Sequence, residues 1–169
     1  MKVRKPSDSM TRMTEMVLPN DTNILGNLMG GRLMHFMDIA TAIAAGRHSS
    51  RVVVTASVDS VEFRSPVRLG EVITLIARVT RAFNSSMEVL VDVFAENPMT
   101  GQRRHCNTAF FTFVAVDQAG NPLPVNQLQP ENDFEQVLFE GALKRRELRL
   151  AMAAERTATL PDDMHAEFC

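Results

Sequence analysis

The sequence predicts an α+β domain, a single long apolar helix followed by strands that turn back on one another. Three observations carry this. Residues 30–48 (GGRLMHFMDIATAIAAGRH) are mostly strong helix formers and leave almost no face polar. Residues 72–81 alternate with period two, Ile73, Leu75, Ala77 and Val79 against Thr74, Arg78 and Thr80, and further strand-like runs follow. The turns between these runs are far shorter than the dozen or more residues of a parallel crossover, so neighbouring strands must be antiparallel.

Taken in order, residues 1–11 read as a disordered N-terminus, and residues 12–18 (RMTEMVL) as a short strand. Residues 19–23 (PNDTN) are dense in turn formers and form a loop towards the helix. The Gly30-Gly31 pair opens the helix and Gly46 reads as its stop signal, with Arg47 and His48 suited to the negative end of the dipole. A helix apolar nearly all round is expected to be buried. Arg32, His35 and Asp38 inside it argue against lipid.

After the helix, residues 52–56 and 58–63 are rich in β-branched side chains, with Val61 and Phe63 on one face and Ser60, Glu62 and Arg64 on the other. Ser65-Pro66 ends that run. Strands are expected at 72–81, 87–95 and 103–116, joined by turns around Asn84-Ser85-Ser86 and at residues 97–101. The helix should lie against one sheet face, in a domain spanning residues 12–125. Residues 126–156 read as a linker and an amphipathic C-terminal helix. Its apolar side would hold Val137, Leu138, Leu143, Leu148, Leu150 and Met152, and its solvated side Lys144, Arg145, Arg146 and Arg149. Residues 157–169 read as a flexible tail.

A chain of 169 residues is long enough for one domain with a proper core. Its net charge of −2 gives no electrostatic reason to expect nucleic acid or an anionic membrane as partner. Cys106 and Cys169 form no disulfide framework, and four scattered histidines have no metal-ligand spacing. Lys2, Arg4 and Lys5 are followed by no apolar stretch of the kind a secretory signal needs, so a cytoplasmic location is expected.

One residue stands out. Asp38 sits mid-helix among apolar neighbours, with only His35 and Thr41 near on its own face. A carboxylate there must be paired, line a cavity or be held neutral. It is either a structural Asp bonded to a strand or to His35, or a catalytic base or nucleophile at the edge of a cleft.

Several ordered runs resemble a known family. They are residues 21–27 (DTNILGN), Gly30-Gly31, Leu33-Met34, Asp38 with Ala40, Arg47-His48-Ser49 and residues 53–59 (VVTASVD). Phe63, Pro66-Val67, Gly70-Glu71, residues 85–89 (SSMEV) and residues 112–117 (TFVAVD) complete the set. Together they resemble the hotdog-fold acyl-CoA thioesterases, and within them the cytosolic acyl-CoA hydrolases. The resemblance covers about residues 12–125.

It implies a curved antiparallel sheet wrapped around the central helix, dimers joined edge to edge, trimers of such dimers, and active sites at the dimer interface. The activity implied is hydrolysis of a fatty acyl-CoA thioester to free acid and CoA. No cofactor is implied, because CoA is part of substrate and product. The unsatisfied N–H groups at the helix start suit an oxyanion, which assigns that role to Gly30 and Gly31. Asp38 takes the role of general base or nucleophile. Asn23 matches a family position that enters the site from the partner chain, to hold the water or the thioester oxygen. Its other reading is an Asx-turn residue.

Thr55 and Ser57 are candidates to bond Asp38 or the pantetheine arm, and Ser85 and Ser86 sit in a turn where the family contacts CoA. Arg47, Arg51, Arg64, Arg81, Arg103 and Arg104 are candidates for the CoA phosphates. Met29 departs from relatives that carry His before the Gly pair. Two further readings are a hotdog protein that binds acyl-CoA without hydrolysing it, and a hotdog 3-hydroxyacyl dehydratase. The dehydratase would need a loop His that residues 12–34 do not contain.

Overall fold

In the computed structural model, which describes residues 2–59 and 61–159, the chain forms strands β1 (Val3–Arg4), β2 (Thr11–Met16), β3 (Val52–Val58), β4 (Val72–Ala82), β5 (Ser86–Glu96), β6 (Arg103–Val116) and β7 (Gln127–Leu128). The helices are α1 (Pro6–Ser9), α2 (Gly30–Ser49) and α3 (Asp133–Thr159), with a 3-10 turn at Pro19–Asp21. One antiparallel sheet has the order β2-β4-β5-β6-β3, so β2 and β3 are its edges. The alternation seen in sequence decides which face is buried. Ile73, Leu75, Ala77 and Val79 of β4 join Met87, Val89, Val91 and Val93 of β5, and Ala109, Phe111, Phe113 and Ala115 of β6, on the face turned to α2. Leu33, Phe36, Met37, Ala40 and Ala44 of α2 complete this core. Each large side chain there contributes about 1.5–3 kcal/mol by leaving water. The alanines add almost no bulk, which lets the helix settle close to the sheet.

The helix is not wrapped all round. Gly31, Arg32, His35, Ile39, Ile43 and Arg47 form an exposed stripe, and the neighbouring edge strand leaves Val52 at 69% and Val54 at 47% exposed. The single chain thus presents an apolar helix face beside a sheet edge.

Several sequence expectations need correction. Residues 1–11 are not disordered: β1 pairs parallel with β7, α1 follows, and Thr11 already belongs to β2. These pieces are too short to carry a periodic signal. Gly46 does not stop α2. The helix runs to Ser49 and ends at Ser50, a left-handed residue at φ 54° whose N–H bonds the Gly46 carbonyl. The strand after the helix ends at Val58, so Val61 and Phe63 lie in irregular chain, and Ser60 lies outside the described residues.

The C-terminal helix turns the other way from expectation. Arg145 and Arg149 face the sheet, while Leu143, Leu148, Leu150 and Met152 are exposed. The cause is Glu88, fully buried on the outer face of β5, whose carboxylate accepts from Arg145 and from the Thr80 hydroxyl. A buried carboxylate without such partners would be strongly destabilising. Arg145 also lies 4.1 Å from the centre of the Phe110 ring. Of the expected tail, residues 157–159 belong to α3, and the rest lies outside the described residues.

Candidate active site

The entry to α2 is built as a set of open amides. Its N-cap, Met29, supplies no side-chain bond, and the first intrahelical bond runs from the Leu33 N–H to the Met29 carbonyl. The N–H groups of Gly30, Gly31 and Arg32 therefore precede the helical ladder and point out of the helix end. A Cβ at Gly31 would meet nothing within 4 Å, so that side is open. At Gly30 a Cβ would stand 3.1 Å from Cζ of Phe63, whose ring closes the other side.

The loop before the helix is fixed by Asp21. Its Oδ2 accepts from the Leu18 N–H, its carbonyl accepts from the Met29 N–H, and its Oδ1 accepts from Arg32 Nε at 2.7 Å. The Leu18 amide first, and then Arg32, hold the Asp21 carboxyl below the usual Asp range against its burial. The Asp21–Arg32 pair was not singled out in sequence, because its members lie 11 residues apart and no local spacing signals the contact. Asn23 lies in this loop as an Asx turn, its Oδ1 accepting from Leu25 N–H at 2.9 Å and Asn27 N–H at 3.2 Å. Its side chain is exposed, and its amide nitrogen stays free to reach out of the chain.

Asp38 lies two turns further along, on the side of α2 that faces β3. Its Oδ1 accepts from the Thr55 hydroxyl at 2.7 Å. His35 instead packs near Phe36, and Thr41 bonds back to the Met37 and Asp38 carbonyls of its own helix. Asp38 itself is half-buried, next to the exposed Ile39.

Ser57 does not join Thr55. A β-bulge between Thr55 and Ser57 shifts the β3–β6 register, pairing Thr55 with Phe113 and Ser57 with Thr112. Phe113 faces the helix and Thr112 the opposite side, so Thr55 points to Asp38 and Ser57 away from it. Ser57 instead lines a cavity of about 510 Å³ on the outer face, with Asn107, Phe110, Arg145, Arg149 and Met152. Asp59 borders it too; burial holds its carboxyl above the ordinary value, against the pull of Arg149.

Ser85 and Ser86 form the β4–β5 turn, their carbonyls accepting from Ala115 and Phe83 N–H groups. Arg81 contacts α3: it donates to the Phe139 carbonyl at 2.8 Å and covers the Phe139 ring at 4.0 Å. Arg104 is likewise held by Glu71, in a bidentate pair that keeps the Glu71 carboxyl low. Among the described residues no cluster of His, Cys, Asp or Glu is arranged to hold a metal ion, and no helix is long and apolar enough to cross a membrane.

Comparison with known proteins places these features in a family. Residues 25–102 match the thioesterase superfamily model. A Bacillus subtilis protein, the uncharacterized acyl-CoA thioester hydrolase YkhA, is 43% identical over 138 residues, 82% of this chain and 80% of that one. Acyl-CoA hydrolase from Staphylococcus aureus, solved with butyryl coenzyme A and coenzyme A, superposes with a TM-score of 0.87 at 35% identity, covering 93% of this chain and 96% of that one. A hexameric acyl-CoA thioesterase in its apo form gives a TM-score of 0.88 at 40% identity, covering 91% and 99%. Alanine variants of the Staphylococcus aureus protein were solved at an asparagine, an aspartate and a threonine. Those three are fifteen and then seventeen residues apart, the spacing of Asn23, Asp38 and Thr55.

Proposed function

The chain belongs to the acyl-CoA thioester hydrolases of the hotdog thioesterase superfamily, and we propose that it hydrolyses fatty acyl-CoA with Asp38 as the general base, in a site shared by two chains. The observation that carries the mechanism is the Thr55–Asp38 bond. It occupies one carboxylate oxygen and leaves the other without a hydrogen bond among the described residues.

In this reading the thioester carbonyl oxygen lies against the N–H groups of Gly30 and Gly31, where the helix dipole and open donors favour negative charge. Asp38 takes a proton from water as the water oxygen attacks the carbonyl carbon. The C=O electrons move onto oxygen, and the amides hold the resulting oxyanion. When the carbonyl re-forms, the C–S bond breaks and the thiolate of CoA leaves, taking the proton from Asp38. The products are the free acid and CoA, and no redox change or added cofactor is needed. Asn23 is the candidate to orient the water or the thioester from the partner chain. The exposed apolar stripe and the unpaired β3 edge support assembly into dimers, and the hexameric relative supports three dimers per assembly.

The test is release of free CoA thiol from a chain-length series of acyl-CoA substrates with the purified chain. Turnover that varies with acyl length is expected. Tight binding with no thiol release at any length would overturn hydrolysis and leave a binding protein.

A further inference from the structure

We propose that Phe63 is a positioning residue for the reaction, its ring walling one side of the open amides at the α2 entry; this rests on the oxyanion role given above to Gly30 and Gly31. The ring's far end points at Gly30. A Cβ built there would lie 3.1 Å from Cζ and 3.5 Å from each Cε, too close for a side chain without moving the ring. The contact therefore explains Gly30 by the space that the aromatic ring fills, since Gly30 has no positive φ that would otherwise demand glycine.

Phe63 is not a core residue. It lies in irregular chain after β3 and is 54% exposed, although a large aromatic gains most by burial. Folding alone gives no reason for that placement. The helix entry it covers has no side-chain cap, so its N–H groups would otherwise be open to water on both sides. A phenyl ring keeps water off without competing for the N–H groups, having no strong acceptor of its own. Gly31, with nothing within 4 Å of a Cβ position, is left as the side from which a carbonyl oxygen arrives. Donors aimed at a developing charge act more strongly where water is kept out.

The experiment compares Phe63→Ala, Phe63→Leu, Gly30→Ala and the double variant Gly30→Ala/Phe63→Ala, each checked for assembly and melting. With saturating acyl-CoA, Phe63→Ala should lower kcat by about tenfold, less than loss of a whole oxyanion donor, while KM moves by less than about threefold. Phe63→Leu, still apolar and bulky, should recover most of that loss. Gly30→Ala should lower kcat alone but cause almost no further loss when Phe63 is already Ala, because the ring it displaces is gone. Normal kcat in Phe63→Ala would overturn the proposal and leave hydrolysis intact. An equal penalty for Gly30→Ala with and without the ring would overturn it too. Absence of turnover in the unmodified chain would instead sink the hydrolase reading itself.

Discussion

Thr55 donates a 2.7 Å hydrogen bond to Asp38 across the seam between the edge strand and the central helix, joining residues 17 positions apart in the chain. The bond is possible only because the bulge after Thr55 comes one residue too late to turn Thr55 outward. It fixes the carboxylate's rotation about its side-chain bonds and so aims the free oxygen. Thr55→Val keeps the shape and removes the donor. It should lower kcat by about tenfold, and Thr55→Ser should restore most of it. Unchanged turnover in the folded Val variant would show that Asp38 is oriented some other way.

Asp38 itself is expected to matter more. Asp38→Asn is nearly isosteric, so folding and assembly should survive, and kcat should fall by at least about 10²-fold for loss of a general base. A single turnover in water enriched with oxygen-18 tests for direct attack by the carboxylate. A base delivers label to the free acid in the first turnover. Unlabelled acid in that turnover would mean that the carboxylate oxygen attacked directly.

Much of this was legible in the sequence. The strand from Val72 to Ala82 declared itself because one of its faces is buried along most of its length, which forces alternation. Asp38 declared itself as a charge among apolar residues. Thr55 and Ser57 looked equivalent because a bulge has no signature in residue type alone, yet it sends one to α2 and the other to the outer cavity. The arginines of α3 looked solvated because the partner that buries them, Glu88, lies 57 residues away from Arg145 on another strand. Phe63 and Asp21 were hidden for the same reason: their roles are contacts with the helix entry, not features of their own segments.

Assembly follows from what the lone chain leaves uncovered. Ile39 and Ile43 of the helix are exposed beside the unpaired edge strand β3, which leaves Val52 and Val54 exposed on the face of the sheet turned away from the helix. Sedimentation should give a dimer or a multiple of it, the hexamer being six times 18.8 kDa. Placing a charge in the helix face, as in Ile43→Asp, should dissociate the dimer and abolish turnover together. An active monomer would contradict both the interface and the shared site.

Stability should fall in mild acid because of His48. The ring is fully buried, its Nε2 2.8 Å from the Asn126 carbonyl while the Asn126 amide donates to the His48 carbonyl. Burial first, and then the nearby Arg4 charge, push its pKa below the ordinary 6.5, against the Asn126 bond and Asp8. The folded chain therefore keeps the ring neutral at a pH where the unfolded chain protonates it. This contribution is complete above about 6.5 and is lost as pH falls below that value. Melting temperature should drop between pH 7 and pH 5, and His48→Gln, which can still donate to the Asn126 carbonyl, should flatten that slope. An identical slope in the variant would assign the acid sensitivity elsewhere.

The last prediction concerns which chain supplies which residue. Asp38 lies seven residues beyond Gly31, about 10 Å along the helix axis at 1.5 Å per residue. The loop carrying Asn23 is pinned at the helix entry by Asp21, through Arg32 and the Met29 amide, so it does not fold back along the helix to its own Asp38. Asn23 is exposed and turned outward. A two-fold interface over the open stripe would bring the partner's loop to the same groove, because an isologous contact makes residue i meet j and j meet i. Each site is then expected to use Asn23, Gly30 and Gly31 of one chain and Asp38 of the other. Asn23→Ala and Asp38→Asn, each inactive alone, should recover turnover when mixed and allowed to exchange subunits. In a mixed dimer one site carries both lesions and the other none, so activity should return to about half of normal per mixed dimer. Confirmed exchange with no recovered activity would place both residues in the same chain's site.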